Sequence, residues 1–166
     1  VLAATATDLL GSPRRDDSAT PNTGDIAYYE TSMTAEPYSA TGTSLGLSSV
    51  HFRDTSYTLP FPFPFLGIDQ TTVEVSNQGL LQFGSASWMW WDSNASQRLH
   101  SERYNRITAM WQDIHTGGAD DGVFVDESIA DQVTFSWNAT SNLDDADVRF
   151  AVTLHRSGEF DFHYGT

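Results

Sequence analysis

Apolar and polar residues alternate with a period of two through most of the second half of the chain, which is the pattern of half-buried β-strands. Near the C-terminus one run of alternate apolar residues is followed by another: Val148, Phe150, Val152 and Leu154, then Phe160, Phe162 and Tyr164. The loop Arg156-Ser157-Gly158 ends in glycine, and its length places Leu154 opposite Phe160 on one face. The pattern predicts a C-terminal β-hairpin whose other face, which includes Ala151 and Thr153, points outward.

An earlier hairpin has the same features. Val73 and Val75 alternate with polar residues before the loop Asn77-Gln78-Gly79, and Leu81 and Phe83 alternate after it. A three-residue loop with glycine last predicts a type I turn closed by a bulge, with the glycine in the left-handed conformation. About seven short strands with turn signals at this spacing predict an all-β fold, an antiparallel β-sandwich.

Three prolines alternate with aromatic residues between Tyr57 and Leu66. Each proline fixes φ and removes a backbone donor, so this run cannot form a helix or a central strand. It is therefore predicted to be an extended, polyproline-like or edge segment at the entrance to the sandwich. In that position Phe61, Phe63 and Phe65 bury their rings.

The N-terminal part has a different composition. Val1 to Leu10 are small and mildly apolar, and Gly11 to Gly24 are polar and turn-forming, as in a linker. We therefore predict an N-terminal arm and linker over residues 1–24 and a β-sandwich domain over 25–166, with a frayed terminus as the alternative.

Charge and composition exclude several kinds of partner and chemistry. The net charge is −14, from 22 acidic and 8 basic residues, and such a surface repels nucleic acid and anionic membranes. The absence of cysteine excludes disulfides and thiolate chemistry. No apolar stretch approaches the ~18 residues of a membrane span, so no membrane insertion is predicted.

Two tripeptides match the acceptor pattern for N-glycosylation, at Asn94-Ala-Ser96 and Asn138-Ala-Thr140. The chain begins with Val1 and not with methionine, which is compatible with a removed signal peptide. Together these features predict a glycosylated protein outside the cell or on its surface.

A loop rich in glycine and aspartate is a candidate Ca²⁺ site, because Ca²⁺ prefers several oxygen ligands. Its candidate ligands are Asp113, Asp120, Asp121 and Asp126. The alternative is a solvated acidic turn in which the aspartates cap the backbone. No other cofactor is indicated by the sequence.

Three tryptophans lie within four residues, at Trp88, Trp90 and Trp91. They are either a glycan-binding surface or part of the core or of an interface between subunits. No Gly-x-Ser-x-Gly, His-Glu-x-x-His or phosphate-loop motif is present, so the sequence predicts a protein that is not an enzyme.

Four segments together resemble the NIDO-like β-sandwich module of secreted bacterial and archaeal surface proteins: LPFPFPFLG, VEVSNQGLLQFG, NRITAMWQDI and FAVTLHRSGEFDFHYG. The resemblance covers about residues 57–165. It implies an adhesive, accessory or assembly role without catalysis. In that module the final Phe-x-Tyr-Gly strand is usually followed by a segment that returns to the sheet, whereas this sequence stops at Thr166.

A sheet that lacks its last strand leaves unpaired backbone groups at its edge, so we expect either that the natural chain continues past Thr166 or that another segment fills the position. We expect the N-terminal arm, with Val1, Leu2, Leu9 and Leu10, to fill that position, either in its own chain or in a neighbouring copy. Donation to a neighbour predicts a head-to-tail homopolymer, as in a surface fibril. The alternatives are a carbohydrate-binding or accessory module of a secreted enzyme and a Ca²⁺-dependent adhesin.

Overall fold

A computed structural model of the chain describes residues 2–8, 29–34, 42–48, 53–84, 105–110 and 113–165, the first two ranges by their backbone alone. All regular structure in these ranges is β-strand. The strands are β1 (Leu2–Asp8), β2 (Tyr29–Thr34), β3 (Thr43–Ser44), β4 (Asp54–Phe65), β5 (Ile68–Ser76), β6 (Leu80–Phe83), β7 (Asn105–Thr108), β8 (Ile114–His115), β9 (Gly122–Asp126), β10 (Gln132–Ser141), β11 (Asp147–His155) and β12 (Phe160–Tyr164).

The strands form two antiparallel sheets that pack face to face. Sheet A has the order β2-β1-β12-β11-β10-β9-β3, with β8 paired to β10, and sheet B has the order β4-β5-β6-β7. The predicted all-β antiparallel sandwich is confirmed.

Strand β12 packs across sheet B. At one end of β12 the Phe160 ring lies 6.4 Å from the Phe65 ring of β4. At the other end the Tyr164 hydroxyl donates to the Ala109 carbonyl, just beyond β7 (2.6 Å). Strand β12 thus crosses sheet B from one edge strand to the other.

Large aromatic residues fill the space between the sheets. Trp137 and Phe150 are fully buried and stack with ring centroids 5.0 Å apart. The indole N–H of Trp137 donates to the Ser76 carbonyl at 2.7 Å, so its one polar atom is satisfied inside the core.

The Phe/Pro run lies in the edge strand β4 of sheet B, which was one of the predicted alternatives. Phe61, Phe63 and Phe65 are buried, and the last two lie against the ring of Phe83 at 5.5 and 4.7 Å. The alternating prolines fall on the opposite side of the strand.

Both predicted hairpins are confirmed. Leu154 pairs with Phe160 across the C-terminal turn. In the earlier turn Gly79 has φ +80°, and a Cβ there would lie 2.9 Å from the Phe150 ring. This position therefore requires glycine for both its conformation and its close contact.

The outward direction predicted for Ala151 and Thr153 is correct, but neither residue is exposed to solvent. Both lie on the outer side of sheet A, yet they are only 1% and 6% exposed. The Thr153 hydroxyl is hydrogen-bonded to the Thr134 hydroxyl of β10 (2.8 Å) and to the His163 ring of β12 (3.0 Å). Cross-strand neighbours on both sides shield these short side chains, which a single-strand pattern does not reveal.

Candidate functional site

The N-terminal strand occupies the position beyond β12 and lies between β12 and β2. It pairs antiparallel with β12 from Leu2 to Ala6 and with β2 from Ala3 to Asp8. Residues 2–8 of the predicted arm are therefore a strand inside sheet A. Val1, Leu9 and Leu10 lie outside the described residues.

Strand β12 presents a row of aromatic residues to this position. Phe160 is buried, whereas Phe162 and Tyr164 are half-buried, and successive ring centroids are 5.5 and 6.4 Å apart. The register pairs Leu2 with Tyr164, Ala4 with Phe162 and Ala6 with Phe160. Cross-strand partners share one face of a sheet, so three bulky positions of β12 meet one leucine and two alanine positions of β1.

Contacts to the core hold β12 in place independently of β1. The Tyr164 hydroxyl donates to the Ala109 carbonyl, and burial raises the pKa of this tyrosine above its usual range. The next residue, Gly165, donates its N–H to the Arg149 carbonyl of β11 at 2.7 Å. The edge that receives β1 is therefore preorganised.

The other face of β12 is polar. The His155 ring lies 2.8 Å from the Asp161 carboxylate, and both side chains are only about one-fifth exposed. In the register with β1, Asp161 is opposite Thr5 and His163 is opposite Ala3. The β12 edge thus presents aromatic side chains on one face of the sheet and polar side chains on the other. An incoming strand must therefore match its own two faces to these.

The candidate calcium ligands do not form one cluster. The Asp113 carboxylate accepts from the Asn142 amide (2.8 Å), and the Asp121 carboxylate accepts from the Gly118 N–H (2.7 Å). Asp126 caps the backbone of its own turn. Across the described ranges, no three His, Cys, Asp or Glu side chains converge as a metal ion requires. The structure does not bring Asp113, Asp120, Asp121 and Asp126 into one site.

Asn138 lies on β10 and faces the outer side of sheet A. Its amide nitrogen donates to the Asp120 carbonyl at 3.4 Å, beside a polar cleft of about 160 Å³ that Asp147 and Arg149 also line. The second glycosylation candidate, Asn94, lies outside the described residues, as do Trp88, Trp90 and Trp91. Within the described ranges, no helix has the length and apolar character needed to cross a bilayer.

Strand β2 was not anticipated from the sequence. Its residues alternate weakly, with Tyr29, Thr31 and Met33 on one side, but hydroxyl-bearing residues fill most of the other positions. That alternation was the only available signal. Its pairing with β1 could not be inferred, because the twenty residues 9–28, which include the predicted linker, separate the two strands in the sequence.

Comparison with protein families shows a match to the model described as NIDO related, over residues 28–166. Comparisons with curated proteins and with solved structures gave no match. The matched region covers most of the chain. It contains β2 to β12, whereas β1 precedes it.

Proposed function

The chain belongs to the NIDO-related family, and from this premise we propose that it is an extracellular, non-enzymatic structural module whose copies assemble by exchanging strand β1. The product is a head-to-tail homopolymer, such as a glycosylated surface fibril.

One observation carries this proposal: β1 lies outside the family-matched region, yet it is inserted between two strands that belong to it. Removing a strand from inside a sheet exposes two rows of unpaired N–H and C=O groups, one on β2 and one on β12. The module therefore requires an added strand, and residues 2–8 provide one.

The connection between β1 and the module is long enough for exchange. Residues 9–28 could span up to roughly 66–72 Å at 3.3–3.6 Å per residue. A compact domain of this length has a radius of gyration of about 15 Å, and is therefore about 40 Å across. The strand can reach its own position or the equivalent position in an adjacent copy.

Exchange between copies joins two different surfaces, the donor strand and the acceptor position. Repeated head-to-tail contacts produce an open filament unless the rotation between successive copies closes a ring. A net charge of −14 on each copy opposes association at low salt, and screening at about 0.15 M limits that repulsion to about 8 Å. We expect filament formation to increase with salt.

The position of Asn138 supports the glycoprotein part of the proposal. Its half-buried side chain is on the outer face of sheet A beside a polar cleft, so an attached sugar would not enter the core but would replace the hydrogen bond to the Asp120 carbonyl. Mass spectrometry of the native protein tests this, and an unmodified Asn138 peptide would contradict it.

Disulfide trapping distinguishes exchange from docking within one chain, because the chain has no cysteine of its own. Thr5 and Asp161 are direct cross-strand partners, and such partners have Cα atoms about 4.5–5.5 Å apart, within the range for a disulfide. A chain carrying Thr5→Cys and Asp161→Cys is expected to form a ladder of covalent multimers on a non-reducing gel.

The matched control is the pair Ser136→Cys and Ala151→Cys, which joins β10 and β11 within one module. It is expected to give monomers alone. If the Thr5/Asp161 pair also closes only within single chains, under conditions where filaments are sought by electron microscopy, strand exchange is rejected.

A further inference from the structure

Strand β1 has small residues where its two neighbours in sheet A have larger ones. Its register places Ala4 opposite Phe162 of β12 on one side and opposite Met33 of β2 on the other. Ala6 is opposite Phe160 of β12. Directly opposite residues of an antiparallel pair lie on one face of the sheet, with Cβ atoms about 4.5–5.5 Å apart. Positions 4 and 6 of β1 therefore share a face with two large aromatic rings.

The aromatic row of β12 is held at both ends by contacts to the core. The Phe160 ring is buried and lies 6.4 Å from the Phe65 ring of sheet B. At the other end the Tyr164 hydroxyl donates to the Ala109 carbonyl at 2.6 Å. Phe162 lies between them, with its ring centroid 5.5 Å from that of Phe160 and 6.4 Å from that of Tyr164. These are the spacings of aromatic rings in contact, so a shift of the Phe162 ring along the row would disturb one of its neighbours.

A bulkier residue at position 4 or 6 would find little space beside this row. Leucine is larger than alanine by an isopropyl group, and enlarging a residue in a packed site forces side chains off their rotamers or shifts the backbone. Leu2 is the bulky residue of β1 in this register, and it is opposite Tyr164 at the end of the row. Alanine is thus opposite each of the two rings that lie between other rings.

We propose that the β1 position of sheet A is a peptide-binding site that selects strands with residues no larger than alanine opposite Phe160 and Phe162. Backbone hydrogen bonds to β12 and β2 contribute affinity for any extended chain, whereas the residues at alternate positions contribute the selectivity. Ala4 and Ala6 are the residues of the strand that determine whether it is accepted. The ligand is an extended peptide with small residues at two alternate positions and a bulky apolar residue permitted two positions before them.

This selectivity acts at the acceptor position on which the proposed function rests, but it does not require exchange between copies. The pairing of β1 with β12 is the same when the strand belongs to its own chain. A chain that only docks β1 into its own sheet is therefore selective in the same way.

Disulfide capture of free peptides tests the selectivity while the protein stays the same in every comparison. The full chain carrying Asp161→Cys is incubated in a glutathione buffer with peptides of residues 1–8 that carry Thr5→Cys. Position 5 is opposite position 161, so a peptide bound in the β1 register is captured as a mixed disulfide. Each variant peptide competes with the parent peptide in one mixture, and mass spectrometry gives the ratio. The protein's own β1 competes equally with both, so it does not affect that ratio.

The variant peptides differ only in where one leucine replaces an alanine. We expect Ala4→Leu and Ala6→Leu each to be captured at least about tenfold less than the parent peptide. Ala3→Leu is the matched control, because residue 3 is on the opposite face, across from His163, and its capture is expected to stay within about threefold of the parent. Equal capture of all four peptides overturns the proposal, and so does an equal loss in Ala3→Leu.

A second protein variant measures capture that does not involve the β1 position. Asp144→Cys makes the same substitution in the exposed turn between β10 and β11. This chain is expected to capture the parent peptide at least about tenfold less than the Asp161→Cys chain and to show no preference among the peptides. If both chains capture the parent peptide equally, the β1 position does not accept a free strand and the proposal is overturned.

Removing one ring tests whether the selection is steric. In a chain carrying both Asp161→Cys and Phe162→Ala, the space opposite position 4 is enlarged. Capture of the Ala4→Leu peptide should then return to within about threefold of the parent, whereas the Ala6→Leu peptide should stay at least about tenfold below it. An unchanged deficit of the Ala4→Leu peptide overturns the assignment of Phe162 as the selecting ring.

The outcomes separate this inference from strand exchange. Selective capture of peptides by a chain that forms no filaments in electron micrographs supports the binding site and rejects exchange. Filaments from a chain that captures all peptides equally support exchange and reject the selectivity.

Discussion

A buried glutamine on sheet B allows a test in which the structure predicts the sign of a stability change. Gln82 of β6 is 1% exposed, and neither its amide nitrogen nor its amide oxygen has a hydrogen-bond partner among the described residues. It pairs with Glu74 on one side and Arg106 on the other, which places it on the outer face of the sheet. A buried amide without partners costs about 1–3 kcal/mol relative to a satisfied one.

Replacing Gln82 with methionine retains the length of the side chain and removes the polar atoms. We expect Gln82→Met to raise the free energy of unfolding by about 1–3 kcal/mol. For a domain of this size, 1 kcal/mol corresponds to about 2–4 °C, so the melting temperature should rise by roughly 2–12 °C.

The matched control is the same substitution at Gln78, in the neighbouring turn. There the side-chain amide donates to the Ile114 carbonyl at 2.7 Å. Gln78→Met loses that hydrogen bond and is expected to lower the free energy of unfolding by about 0.5–1.5 kcal/mol. The same chemical change should therefore have opposite signs at two positions four residues apart.

Urea denaturation followed by tryptophan fluorescence measures both effects, provided that the slope of free energy against urea stays the same in all three proteins. A loss of more than about 1 kcal/mol in Gln82→Met would refute the reasoning, because it would mean that the amide is satisfied. Equal signs at both positions would refute it as well.

Three further predictions concern the turn, the core and the pH dependence. Leu66 has φ +51°, and Leu66→Asn should stabilise the chain by about 1 kcal/mol in the same urea assay, because asparagine tolerates the left-handed conformation. Trp137→Phe removes the buried hydrogen bond to Ser76 and should cost about 1–3 kcal/mol, measured by calorimetry. Burial raises the pKa of the Tyr57 hydroxyl, and the hydrogen bond to Glu127 and the charge of that carboxylate raise it further. As pH passes about 10, this hydroxyl therefore ionises in the unfolded chain before it ionises in the folded chain, so the free energy of unfolding falls above that pH. Tyr57→Phe should make this alkaline loss smaller, as judged from urea midpoints between about pH 8 and about pH 11.

Features that depend on a few neighbouring residues were predictable from the sequence. The turn at Gly79 and the pairing of Leu154 with Phe160 both follow from loop length, a terminal glycine and the alternation on either side. The extended course of the Phe/Pro run follows from the fixed φ and the missing N–H groups of proline. Each is a local consequence of backbone chemistry, so a single sequence suffices.

Long-range features of the candidate site were only partly predictable. The resemblance to a NIDO-like module, now supported by the family match, led to the expectation that an N-terminal segment fills the edge beyond β12. The position of β1 between β12 and β2, and the role of Tyr29–Thr34 as its second neighbour, could not be read from the sequence. A period of two indicates which residues share a face, but it does not identify the adjacent strand.

The sequence by itself therefore determined the all-β class, the two hairpins and the extended Phe/Pro run, since these depend on backbone donors, left-handed glycines and local alternation. Only the tertiary structure decided that Ala151 and Thr153 are buried, that the candidate calcium ligands do not form one site, and that β1 lies inside sheet A between β12 and β2. Burial and strand order depend on contacts between residues far apart in the chain, and those contacts form only when the two sheets pack together.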